Sequence, residues 1–199
     1  LRESIVSHAK TMGVTPTSVK PATAKLDFVF TPGSLPPSLT IEKNTKFVSK
    51  INGLKYKFVT TKSTTVPRSV NDTYAVTGIE IMEGAVLTKS YTVDASDPIQ
   101  RFIIPNADVD LDTLIVNIQT SASNSKVDTF TNGNNIDVTT VKSTDRVYWV
   151  HEIEKSHYEI TFGDGAVGRQ LSDGNIIFIE YLVTSGSVAN GANLFNANT

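Results

Sequence analysis

Residues 158–168 read Tyr-Glu-Ile-Thr-Phe-Gly-Asp-Gly-Ala-Val-Gly, and they narrow the folds open to this chain more than any other stretch. Tyr158, Ile160 and Phe162 alternate with Glu159 and Thr161, the period of a strand with one wet face. Glycines then crowd the next six positions, so the backbone must turn sharply or take positive φ, which glycine does cheaply. Gly163, Gly165 and Gly168 spell G-x-G-x-x-G, the pattern that cradles a dinucleotide pyrophosphate where it follows a strand and opens a helix. The strand is present here and the helix is not. Asp173-Gly174 is already a second turn signal, leaving no room for a helix N-terminus that would hold phosphate. The glycines are therefore read as a turn joining two strands.

The second of those strands, Asn175 to Val183, is rich in β-branched and aromatic residues, with Glu180 as its wet position. The same grammar runs through the chain. Ala24, Leu26, Phe28 and Phe30 alternate with polar neighbours. Further short runs at 39–42, 46–48, 54–60, 74–82, 86–93, 101–104, 113–119 and 147–153 are separated by Gly, Pro, Asn, Ser or Asp clusters. At the front, Leu1, Ile5, Ala9 and Met12 fall at helical spacing, and Gly13 stands where a helix C-cap belongs. The expected fold is mainly β: a short N-terminal helix and extended linker (1–23), then one or two β-sandwich-like subdomains of short, mostly antiparallel strands. Asp97-Pro98 marks the boundary between 24–98 and 99–199, and the last strand is allowed to return to the first subdomain. Residues 121–135 are polar and read as a mobile hairpin or loop.

Composition removes several function classes. The 199 residues contain no cysteine, which excludes disulfides, thiol catalysis and thiolate metal sites. The formal charge of -2 offers no general reason to expect nucleic acid or an anionic membrane as partner. No apolar run approaches the roughly 20 residues that span a bilayer. The chain starts at Leu1 rather than Met and is expected to be a piece of a longer protein.

No constellation points to chemistry. Asp108, Asp110 and Asp112 open like an EF-hand loop, but Thr113 stands where Gly is required and Gln119 where a bidentate Glu belongs, so a solvated edge is expected. His8, His151 and His157 lack zinc-ligand spacing. Glu152 and Glu154 are expected on an exposed edge. Asp164, between two glycines, is read as bonding the amides of its own turn rather than a metal. Tyr148 and Trp149 are adjacent on a strand, so one faces inward and one outward. Catalytic, cofactor and metal sites are all expected to be absent.

Phe162-Gly163-Asp164-Gly165, Gly168, Leu171, Asp173-Gly174-Asn175, Tyr181, Gly186 and Asn190-Gly191 together resemble the signature of the baseplate J-like family, the wedge proteins of contractile phage tails and related injection machines. The likeness runs over nearly the whole chain. It implies a late structural protein of the virion tail baseplate, made in the host cytoplasm. Such a protein self-associates and binds other baseplate wedge subunits around a central hub, and its rearrangement accompanies sheath contraction. It implies no nucleic acid, membrane or small-molecule partner. The rival reading is a β-sandwich recognition module, carbohydrate-binding or adhesin-like. Such a module exposes aromatic platforms in its loops, whereas Phe28, Phe30, Phe58, Phe162, Phe178 and Tyr181 all sit in predicted strands.

Overall fold

The computed structural model describes residues 18–197. Strands dominate it: β1 (Thr23–Phe30), β2 (Ser38–Ile41), β3 (Lys46–Ile51), β4 (Leu54–Thr60), β5 (Thr64–Pro67), β6 (Tyr74–Glu83) and β7 (Ala85–Thr92) come first. They are followed by β8 (Phe102–Ile104), β9 (Val109–Ser121), β10 (Asn124–Asn132), β11 (Val147–Glu152), β12 (Tyr158–Phe162), β13 (Ile176–Val183) and β14 (Phe195–Ala197). The helix expected over the first twelve residues, His8, and the linker as far as Thr17 lie outside the described residues.

The chain divides into two compact units, one of residues 19–86 with the segment from Val183 onward, the other of residues 87–182 with Ser18. Asp97-Pro98, expected as the boundary, lies inside the second unit. Asp94 and Asp97 there cap a local turn, accepting hydrogen bonds from the amides of Ser96 and Ile99 at 2.9 and 3.0 Å. The composition of that dipeptide signals a turn, and a turn inside a unit looks the same in sequence as one between units.

In the 19–86 unit, a five-stranded sheet has the order β1-β6-β4-β3-β14, and β2 pairs β5 alongside it. Antiparallel alternation sends Phe47 and Phe58 to one face, where they join Ala22, Ile81 and Ala189 in a buried cluster. A second cluster of Val66, Tyr74, Val76 and Ile79 lies under the small sheet, against Leu39 and Ile41. Glu83, 4% exposed, closes β6: its Oε2 accepts from the Thr184 hydroxyl at 2.6 Å and the Ser185 amide at 2.9 Å. Those charge-assisted bonds tie the returning C-terminal segment to this unit. β14 then pairs β3 through Phe195 and Ser49.

The 87–182 unit is built on a seven-stranded sheet in the order β7-β13-β9-β10-β11-β12-β8. Its ladders include antiparallel β9–β10, β11–β12 and β12–β8, and a parallel β10–β11 contact limited to Thr131↔Val147 and Asn132↔Tyr148. Ile104, Val116, Phe130, Tyr158, Ile160 and Ile177 are among its buried residues. Residues 121–135, read as a mobile hairpin or loop, are the tip of the β9–β10 hairpin followed by β10. After β10, Asn134 continues the pairing with its side chain, accepting from the Val150 amide and donating to the Val150 carbonyl, both at 2.8 Å.

Candidate functional site

The glycine segment joins β12 to β13, but these strands are separated in the sheet by β9, β10 and β11. The connection is therefore a crossover rather than a hairpin turn. Inside it the backbone folds against itself. A Cβ on Gly163 would overlap the Gly168 carbonyl group, so the first glycine is needed for close approach and not for its φ. Gly168 has φ +77°, and a methyl added there would lie only 2.8 Å from Val147 Cγ2. The Gly165 amide donates to the Gly168 carbonyl at 3.1 Å, closing the loop.

Asp164 stabilises the same loop. Its Oδ1 accepts from the amides of Ala166 and Val167, each at 2.9 Å. Those bonds, Val167's the larger, hold its carboxyl below the usual range. They also occupy amides that a bound phosphate would need, and no helix follows Gly168; β13 is the next regular element. The dinucleotide pattern is present in sequence without the geometry that gives it meaning.

Neighbouring loops pin the crossover down. The Gly168 amide donates to the Lys142 carbonyl at 3.1 Å, and the Arg169 amide to the Asp145 carbonyl at 2.8 Å. Arg169 Nη1 donates to Asp128 Oδ2 at 2.7 Å, while Arg146 Nη2 reaches Asp128 Oδ1 at 3.1 Å. The Arg169 hydrogen bond is the main cause of an Asp128 carboxyl held below its ordinary range, with the Arg146 charge adding to it. Trp149 is the outward member of its pair with Tyr148, and it is half-buried because its indole lies across Gly133 and Gly168. Tyr148 is the inward member, its phenol pushed up to about 12 by burial.

Phe162 meets Phe102 and Phe130 edge-on, with ring centroids 5.8 and 5.7 Å apart. Gly174, at φ +75°, sits in a turn where its amide donates to the Val93 carbonyl at 2.9 Å. Asn175 beside it is buried, accepting from the Ser172 amide at 2.8 Å and donating to the Thr120 carbonyl at 2.7 Å. Tyr181, 2% exposed, donates to Asn106 Oδ1 at 2.7 Å. Phe162, Gly163, Asp164, Gly165, Gly168, Gly174 and Tyr181 thus all serve one unit. Asn190 and Gly191 do not join them. They follow a 3-10 turn at Gly186–Ala189 in the other unit.

Two expectations about acidic residues fail. Asp110 is 4% exposed rather than solvated, and its Oδ1 is 3.5 Å from the Ser18 hydroxyl, which itself accepts from the Leu111 amide at 3.0 Å. Glu152 is 3% exposed, at the inward-facing end of β11, instead of lining an open edge. Sequence reasoning does not single out Glu83 at all, because a lone Glu at the end of an apolar run looks like a solvated strand terminus. Among the described residues no group of three or more His, Asp or Glu is placed to hold a metal ion. His151 is exposed and lies 3.2 Å from the Thr161 hydroxyl.

No protein-family model matches the chain. It is similar to the baseplate wedge protein gp6 of Enterobacteria phage T4, with 23% identity over 210 residues. That alignment covers 96% of this chain and 30% of the relative, so the chain spans about a third of the length of the curated protein it matches. The sequence resemblance and this likeness agree on a relation to phage baseplate proteins.

Proposed function

We propose that the chain is a structural segment of a baseplate wedge in a contractile phage tail, associating with itself and with other wedge subunits and taking part in the rearrangement that accompanies sheath contraction. The observation that carries this reading is the likeness to a baseplate wedge protein along 96% of the chain. The glycine crossover fits a building-block role. Its amides and carboxylates are spent on one another, leaving a rigid connection rather than a reactive one, and we infer no enzymatic activity.

The recognition-module alternative gains no support from the aromatic residues. All nine Phe, all six Tyr and the single Trp lie within strands, and none is exposed. An aromatic platform carried on loops, the feature expected of such a module, is therefore not what these rings form. The test is reconstitution. The full-length protein should form larger species when mixed with its baseplate neighbours, seen by solution mass measurement and electron microscopy. A protein that stays monomeric with every neighbour added, while binding a glycan tightly, would sink the baseplate reading.

A further inference from the structure

The chain passes between its two units after Ser18, after Val86 and after Leu182. One buried residue of the 19–86 unit is bonded to each of the three connecting segments. Glu83 stands at the end of β6, just ahead of the second passage, and its amide donates to the carbonyl of Ala22, just past the first, at 2.8 Å. Its Oε2 accepts from the Thr184 hydroxyl and the Ser185 amide, just past the third. The Thr184 hydroxyl in turn accepts from the Gly186 amide at 3.0 Å, so a relay runs from Gly186 through Thr184 to Glu83. Ala22, Glu83 and Thr184 are all buried. The passages at Val86 and Leu182 run along β7 and β13, which are neighbours in the seven-stranded sheet.

Taking a carboxylate out of water is costly, and both groups that meet Oε2 of Glu83 are neutral. An apolar residue at the end of β6 would fill the same place without that cost, so fold stability alone does not account for Glu83. What the carboxylate supplies is directional bonding to a segment about half the chain away in sequence. A glycine stands beside each end of that bond. Gly84, φ +136°, follows Glu83, and Gly186, φ +68°, follows Ser185, where an added Cβ would lie 3.0 Å from Val19 Cγ1. Segments that rearrange pivot at a few such element-terminal positions, often small residues. We propose that Glu83 is a clasp on the connecting segments. While its bonds hold, residues 19–22, 84–86 and 183–186 are fixed as one set; when they part, the three segments loosen together and the sheets stay folded. Glu83 is a positioning residue in this device, acting through Ala22, Thr184 and Ser185. The clasp goes beyond the wedge assignment and stands whatever assembly the chain serves.

Amide hydrogen exchange, read residue by residue by NMR on E83A, E83Q and T184V, tests this. In E83A the Ser185 amide loses its acceptor and should exchange faster. The decisive amides are those of residues 83, 84 and 186, whose own acceptors, the Ala22 and Lys57 carbonyls and the Thr184 hydroxyl, the substitution leaves in place. All three should exchange about 10- to 100-fold faster, while the β11–β12 ladder keeps wild-type protection. In E83Q the side-chain oxygen still accepts both bonds, so exchange should stay within about threefold of wild type. T184V removes one donor and should speed exchange at residues 83 and 84 by a smaller factor than E83A. A rise at Ser185 alone overturns the proposal, because Glu83 would then hold only its direct partner. A uniform rise that includes the β11–β12 ladder overturns it as ordinary loss of stability, and so does protection unchanged in E83A. If E83A does not fold, T184V and E83Q decide by the same pattern. These outcomes leave reconstitution with baseplate neighbours untouched, so the two readings fail separately.

Discussion

Gly163, Gly168 and Gly174 carry three different demands, and substitution by Ala should separate them. Gly163→Ala puts a methyl into the Gly168 backbone, which has no rotamer to move away, and Gly168→Ala adds unfavourable φ to contact with Val147 and Trp149. Each should cost about 1–3 kcal/mol or more. At Gly174 an added methyl would meet nothing within 4 Å, so Gly174→Ala should cost only the strain of its φ, about 1 kcal/mol. Urea denaturation of the three variants checks the order, and equal midpoints would show the crossover to be an ordinary turn. Asp128 gives a pH signature. Its carboxyl is depressed in the folded chain, so its contribution is present above the ordinary carboxylate pKa and is lost as pH falls through the lower folded value. Asp128→Asn should therefore be less stable than wild type at neutral pH, with the gap narrowing in acid below about pH 4, measured by thermal melts across pH. The sequence showed that residues 163–168 must turn. It did not show that the chain crosses itself there, because close approach between residues five apart has no signature beyond the glycines themselves.

At the level of elements, the β3–β4 hairpin shows how a turn sets a surface. Asn52 and Gly53 take φ of +51° and +82°, the two left-handed positions of a two-residue hairpin loop, and Ile51 pairs Leu54 across it. That register is what brings Lys50 opposite Lys55. Lys50→Glu replaces a repulsive pair by an attractive one and should raise stability by about 0.2–1 kcal/mol, read as a higher urea midpoint at low salt that declines as salt is added. The Asn-Gly dipeptide is a strong hairpin signal in sequence. β10 had none. Its pattern of Asn124-Ser-Lys-Val-Asp-Thr-Phe-Thr-Asn132 is polar, and it buries little beyond Phe130 and an Asp128 held by two arginines. It becomes a strand because β9 pairs it on one side and β11 takes up its last two residues on the other, partners supplied from distant sequence.

Across the whole molecule, charge is the property least visible in totals. A formal charge of -2 hides four exposed lysines, Lys46, Lys50, Lys55 and Lys57, that β3 and β4 carry on one sheet face. The chain should be retained by a cation exchanger at neutral pH and low salt in spite of its negative total, since adsorption follows the local field of a patch. Replacing Lys46, Lys50, Lys55 and Lys57 by Glu should abolish that retention. Retention unchanged in the variant would place the basic field elsewhere. The mainly β character, most strand positions and the need for a turn after Phe162 follow from local periodicity and glycine placement, which act within a few residues. Sheet order, the burial of Asp110, Glu152 and Glu83, and the separation of Asn190-Gly191 from the rest of the motif were decided by tertiary structure. Each depends on which segments far apart in the chain pair or pack, and a polar residue's environment is set by those partners rather than by its neighbours in sequence.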